Sequence, residues 1–130
     1  SIHPVLVSVT NQTVTVDIHV IEVEPISGWG VDIMFDPDAL EFKGLTPGPF
    51  IPGQIALPNA SGELLKAGGA VMGKSDGFSG TGILGTITFK IVGELPTSLN
   101  VANPTLRGYD GETTVTNNDI YIEFNDGENF

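Results

Sequence analysis

Residues 29–45, WGVDIMFDPDALEFKGL, decide the fold class. Trp29, Val31, Ile33 and Phe35 alternate with Gly30, Asp32 and Met34. That spacing of two is the period of a strand with one buried face. Asp36-Pro37-Asp38 then ends the run, because proline fixes φ and aspartate bonds the amides that follow it. Leu40-Glu41-Phe42 resumes the alternation. The stretch therefore predicts a strand, a tight turn and a second strand, with the large apolar side chains on one side.

The same period recurs on both flanks. Val14, Val16, Ile18 and Val20 alternate with Thr15, Asp17 and His19; Ile120, Ile122 and Phe124 alternate with Tyr121 and Glu123. Ile83, Gly85, Ile87, Phe89 and Ile91 take one face, leaving Leu84, Thr86, Thr88 and Lys90 for the other. Strands are expected near 4–9, 14–23, 29–35, 40–45, 64–73, 83–92, 98–102, 105–109 and 119–124. Glycine and proline punctuate the chain too often for a helix. The longest irregular stretch, 46–63, is expected to be an ordered loop, because Pro47, Pro49, Pro52 and Pro58 restrict it. Many short strands with regular turn signals describe an all-β antiparallel β-sandwich or barrel. Neither an internal repeat nor a linker tract divides it, so 1–130 is read as a single domain. Shared parity places Trp29, Val31, Ile33, Phe35, Ile87, Phe89, Ile122 and Phe124 in the core.

Composition excludes several kinds of function. Sixteen acidic residues against five basic ones give a formal net charge of -11. Binding nucleic acid needs clustered Lys and Arg, so no nucleic-acid partner is expected. No apolar run approaches the roughly 20 residues of a spanning helix, so no membrane insertion is expected. The absence of cysteine removes disulfides, thiol catalysis and cysteine-type zinc sites. The chain opens straight into a strand pattern and reads as an excised module or a mature segment.

The residues that carry chemistry do not converge. His19 shares a strand face with Asp17, and the reading favoured is the solvated polar face of an edge strand rather than a catalytic pair. There is no G-x-S-x-G elbow and no phosphate loop. Three acidic clusters, Asp36/Asp38/Glu41, Asp110/Glu112/Asp119 and Asp126/Glu128, have oxygen ligands that would suit calcium, but none forms an EF-hand loop. No cofactor is expected, and any calcium held here is expected to be weak or adventitious. Trp29, the single tryptophan, shares the core parity and is not read as a sugar platform. Tyr109 and Tyr121 would make a thin one.

Residues 31–53, VDIMFDPDALEFKGLTPGPFIPG, resemble the most recognisable stretch of cohesin modules. An alternating strand ends in an aromatic and Asp-Pro (Phe35-Asp36-Pro37), then come Leu40-Glu41-Phe42 and the turn Pro47-Gly48. Gly80-Thr81-Gly82 running into Ile83–Lys90, and Ile120–Phe124 followed by Asp126-Gly127, are similar to later cohesin strands in the same order. The resemblance implies a nine-stranded sandwich with jelly-roll topology. It also implies a non-catalytic module of the scaffoldin or cellulosome type, extracellular or on the cell surface and a monomer when free. Its partner would be the dockerin module of another protein, which would bring the calcium.

In that family the third, fifth, sixth and eighth strands form the sheet whose outer face binds dockerin. Carried onto the expected strands, the resemblance implies Gly30, Asp32 and Met34; Ala70, Met72 and Lys74; Leu84, Thr86 and Thr88; and Arg107 and Tyr109 as partner-binding residues. Asp17 and His19 fall on the opposite face. The chain departs from the family at Gly28 and Gly30, where bacterial cohesins place polar hydrogen-bonding residues. Two other readings stand beside this one: a carbohydrate-binding module and a structural cell-surface adhesion domain. An enzyme is not expected.

Overall fold

The structure is a computed structural model that describes residues 4–7, 12–71, 77–108, 113–114 and 120–125. All regular structure among these residues is strand: β1 (Val5–Leu6), β2 (Thr13–Met34), β3 (Leu40–Pro47), β4 (Ile55–Ala56), β5 (Asn59–Ser61), β6 (Leu64–Ala70), β7 (Phe78–Ile91), β8 (Thr97–Ser98), β9 (Asn100–Gly108), β10 (Thr113–Thr114) and β11 (Ile120–Phe124). Every pairing is antiparallel.

The long strand β2 organises two layers. Its first half, Thr13–Val20, lies between β11 and β7, and β7 pairs onward with β3. Its second half, Gly28–Met34, lies between β9 and β6. β10 continues that layer beyond β9, and β4 and β5 continue it beyond β6. The strands expected at 14–23 and 29–35 are thus one element that changes layer. Register shifts fall between Val20 and Val23 and between Val23 and Ile26. In the same bend Glu22 takes a positive φ of 49°, and its amide donates to Thr81 Oγ1 at 2.9 Å. Such bulges bend a strand out of its sheet.

The eight residues assigned to the core by parity are all buried, none more than 7% exposed. Each large side chain so buried contributes roughly 1.5–3 kcal/mol. Phe89 meets Phe35 with ring centroids 5.1 Å apart and Phe42 at 6.4 Å. Trp29 reaches from the second layer to β7. A Cβ on Gly85 would lie only 3.1 Å from its Cζ2, so glycine there makes room for the indole.

Two further expectations differ. The stretch 46–63 is not wholly irregular, for it carries β4 and β5. Gln54, 7% exposed, ties it down. The Trp29 indole N–H donates to Gln54 Oε1 at 2.9 Å, and Gln54 Nε2 donates to the carbonyls of Leu84 (3.0 Å) and Gly48 (3.2 Å). The strands expected at 98–102 and 105–109 are the single β9, bulged where Asn103 takes a φ of 53°. A bulge shifts parity without ending a strand, so periodicity reads it as a gap.

Candidate functional site

The outer face of the second layer is built from four cross-strand rows. Arg107, Gly28, Ala70 and Ile55 form the first. Thr105, Gly30, Gly68 and Leu57 form the second, Leu57 through its amide bond to the Gly68 carbonyl at 2.8 Å. Ala102, Asp32, Lys66 and Asn59 form the third, and Asn100, Met34, Leu64 and Ser61 the fourth. The alternation that buries Trp29, Val31 and Ile33 turns Gly28, Gly30, Asp32 and Met34 to this side.

The face is small-residued at its centre, with Ile55 and Leu57 along the β4 edge and Met34 in the fourth row on β2. Seven large apolar side chains are exposed among the described residues, and three of them are here: Met34 (41%), Ile55 (48%) and Leu57 (57%). Ile55 and Leu57 stand together on the β4 edge, whereas Met34 is a single exposed side chain in the fourth row. Gly28, Gly30, Ala70, Leu57, Thr105 and Arg107 line a shallow depression of about 290 Å³. The rows hold one carboxylate and two cations, so the chain's acidity lies elsewhere. Asp32 is occupied within the face: Asn103 Nδ2 donates to its Oδ2 at 2.8 Å and Lys66 Nζ to its Oδ1 at 3.4 Å. The Lys66 side chain is 58% exposed, and an ion pair of this kind contributes about 0–1 kcal/mol to stability. Its effect here is to orient the carboxylate.

The structure brings together Gly30, Asp32, Met34, Ala70 and Arg107 of the expected partner-binding residues. It separates Leu84, Thr86 and Thr88 from them, and these three are corrections. Their strand, β7, pairs with the first half of β2 and with β3, in the other layer. Leu84 points inward and is wholly buried. Pairing passes from Ile18↔Gly85 to His19↔Ile83, so Leu84 is the extra residue of a bulge and the parity reverses there. Its carbonyl accepts from Gly48 N at 3.0 Å and from Gln54 Nε2. Met72, Lys74 and Tyr109 lie outside the described residues, as do Asp110, Glu112, Asp119, Asp126 and Glu128.

Thr86 belongs to the opposite outer face. Its hydroxyl donates to Asp17 Oδ1 and Asn125 Nδ2 donates to Asp17 Oδ2, both at 2.8 Å. Asp17 is 7% exposed, and its strand is central rather than an edge, which corrects the solvated-edge reading. His19 does not pair with Asp17. It stacks on Tyr121 with centroids 4.5 Å apart, and its Nε2 lies 3.2 Å from Glu123 Oε1, at ion-pair distance but outside hydrogen-bond geometry. Asp36 performs the turn chemistry expected of it, its Oδ1 accepting from the Asp38 amide at 2.9 Å. Among the described residues no group of three or more potential ligands gathers to hold a metal.

Ile55, Leu57, Leu64 and Lys66 are face residues that the sequence reading missed. The signal was the i, i+2 pair Ile55/Leu57 inside a stretch taken for loop. Counting the halves of β2 as two strands, β4–β5 as one and β8–β9 as one makes the third, fifth, sixth and eighth strands the second half of β2, β4–β5, β6 and β8–β9; the second half of β2, β4–β5, β6 and β9 form the second layer.

The chain is thus a two-layer antiparallel sandwich that leaves Met34, Ile55 and Leu57 exposed on one outer face. A family model described as the cohesin domain matches residues 5–125, and the chain belongs to the cohesin family. Among solved structures it is similar to a non-cellulosomal cohesin from the hyperthermophilic archaeon Archaeoglobus fulgidus, with 16% identity, 95% of this chain and 91% of that chain covered, and a TM-score of 0.70. It is also similar to the sixth cohesin of scaffoldin B from Acetivibrio cellulolyticus, solved in complex with a Cel5 dockerin mutant (16% identity, 93% and 95% covered, TM-score 0.70). Type II cohesin A11 from Bacteroides cellulosolvens is similar at 20% identity, with 85% and 90% covered and a TM-score of 0.64. At these identities the likeness establishes the jelly-roll sandwich. No curated protein matches the sequence.

Proposed function

We propose that this chain is a non-catalytic receptor module that captures a calcium-loaded dockerin on the outer face of the second layer. It would thereby help to assemble multiprotein complexes outside the cell or at its surface. The observation that carries the reading is the cohesin family match over residues 5–125. The face adds physical support. Met34, Ile55, Leu57 and Leu64 offer apolar area that gains free energy when covered, about 25 cal/mol per Å² removed from water. Asp32, Lys66, Asn103 and Arg107 offer a polar surround.

The metal in this reading belongs to the partner, since EF-hand-like loops are a dockerin feature and this sequence contains none. Chelator should then abolish binding while the melting temperature of this domain stays unchanged. Calorimetric titration against a panel of dockerins, with and without chelator, is the test. Silence across the panel, or binding indifferent to chelator, would sink the proposal.

A further inference from the structure

Gly28 and Gly30 stand in the middle of a central strand, where glycine weakens a sheet by roughly 0.5–1 kcal/mol relative to alanine. The fold requires glycine at neither position. Neither has a positive φ. A Cβ on Gly30 would meet nothing nearer than the Ala67 carbonyl oxygen at 3.8 Å. One on Gly28 would make ordinary contacts at 3.4–3.6 Å with Gly69, Ala70 and Arg107. Their neighbours differ: a Cβ on Gly68 would lie 2.9 Å from the Trp29 carbonyl oxygen, and one on Gly69 would overlap Gln54 Oε1. Two glycines are therefore internally explained and two are not. The unexplained pair faces outward, onto the floor of the 290 Å³ depression that Leu57, Thr105 and Arg107 wall. Glycine inside a strand often marks close approach by something outside it.

We infer that this depression is the specificity pocket of the docking face, and that it receives one large apolar side chain of leucine to phenylalanine size from the partner's helix. The inference rests on the reading of the face as the dockerin site. Shape argues for a side chain: the depression of about 290 Å³ is open above, and over Gly30 it is clear to 3.8 Å from where a Cβ would stand. Chemistry argues for an apolar one. Leu57 is the most exposed large apolar side chain among the described residues, Ala70 and the glycines offer no hydrogen-bonding side chain, the Thr105 hydroxyl donates to the Asn103 carbonyl at 3.4 Å, and the Arg107 Cβ stands beside Gly28. Asp32, the face's carboxylate, sits one row away and is already bonded to Lys66 and Asn103.

The test is titration of Gly30→Leu and, as a gentler filling, Gly30→Ala, against a dockerin that binds the unaltered chain, with a thermal melt of each variant. Gly30→Leu is expected to weaken binding tenfold or more and Gly30→Ala by less, with neither melting temperature lowered. An alanine scan of the dockerin's apolar helix positions should then find one substitution that costs affinity against the unaltered chain and little against Gly30→Leu, a coupling that a double-mutant cycle reads directly. If the dockerin binds and filling the pocket leaves its affinity intact, or if no position couples, the pocket is refuted while the docking face stands. If no dockerin binds the unaltered chain at all, both fall together.

Discussion

The two outer faces of this sandwich share a backbone plan and differ in what their side chains leave unfinished. On the first layer, Asp17 accepts from Thr86 and Asn125, the Thr15 hydroxyl donates to the Asn125 carbonyl at 2.9 Å, and His19 and Tyr121 cover each other. The partners come from different strands, so that face fastens β2, β7 and the end of β11 together. On the second layer the centre is Gly28, Gly30, Gly68 and Ala70, Ile55 and Leu57 stand exposed along the β4 edge, and Met34 is exposed in the fourth row. A polar network that satisfies itself gains little from a partner, because each bond made outside must replace one inside. Apolar area left in water gains wherever it is covered. The contrast thus separates a face that holds the domain together from a face that has something to offer.

The largest effect should come from the core that both faces share. Phe89 is wholly buried and touches Phe35 and Phe42. Phe89→Ala should destabilise by about 3–5 kcal/mol, through lost burial and the cavity left behind. Urea denaturation measures it, and an unchanged midpoint would contradict the layer assignment.

Next comes the joint between core and docking face. Gln54 satisfies the Trp29 indole and the Leu84 carbonyl, and the next residue begins β4. Gln54→Ala would strand the buried Trp29 indole N–H, while the Leu84 carbonyl keeps its bond from the Gly48 amide, so a loss of about 1–3 kcal/mol is expected. It should also weaken dockerin binding beyond what lost stability explains, because Ile55 and Leu57 would no longer be held along the β4 edge. A variant that loses stability but keeps its affinity would show that β4 is not part of the contact.

Met34→Ala and Leu57→Ala should reverse the pattern. Both side chains are exposed, so the melting temperature should barely move. Anchors of this kind cost roughly 2 kcal/mol or more of binding when truncated, chiefly through a faster off-rate. Surface plasmon resonance separates the rates. Unchanged dissociation in both variants would remove these exposed apolar side chains from the interface.

Parity made much of this fold legible, and it failed where backbone irregularity intervened. Val31, Ile33, Ile87 and Phe89 lie where alternation puts them, because a one-residue error would have turned an entire strand's apolar set to water. Leu84 does not, because no local feature distinguishes an extra residue from a regular one until the partner strand is known. β4 and β5 were hidden for a related reason: two or three residues are too few to show a period, and the prolines around them speak only of a loop. That omission moved the strand count by one. It is why Thr86 and Thr88 were grouped with Gly30, Asp32 and Met34, which face the other way.

The smallest effect should come from the fastened face, and it tests the comparison most sharply. Asp17→Asn keeps the shape and removes one charge. The substituted amide can turn its oxygen toward Asn125 Nδ2 and its NH₂ toward Thr86, whose hydroxyl can rotate from donor to acceptor. Both contacts then persist, weakened because neither is any longer made to a carboxylate. A loss on the order of 1 kcal/mol is expected in urea denaturation. Dockerin affinity should not change, because the substituted group faces away from the glycine floor. A melt that shifts while the titration does not would separate the faces by function as well as by position. If Asp17→Asn instead reduced affinity as much as Met34→Ala does, the partner would be binding the first layer, and its exposed polar rim rather than the exposed apolar side chains of the second layer would need to be mapped.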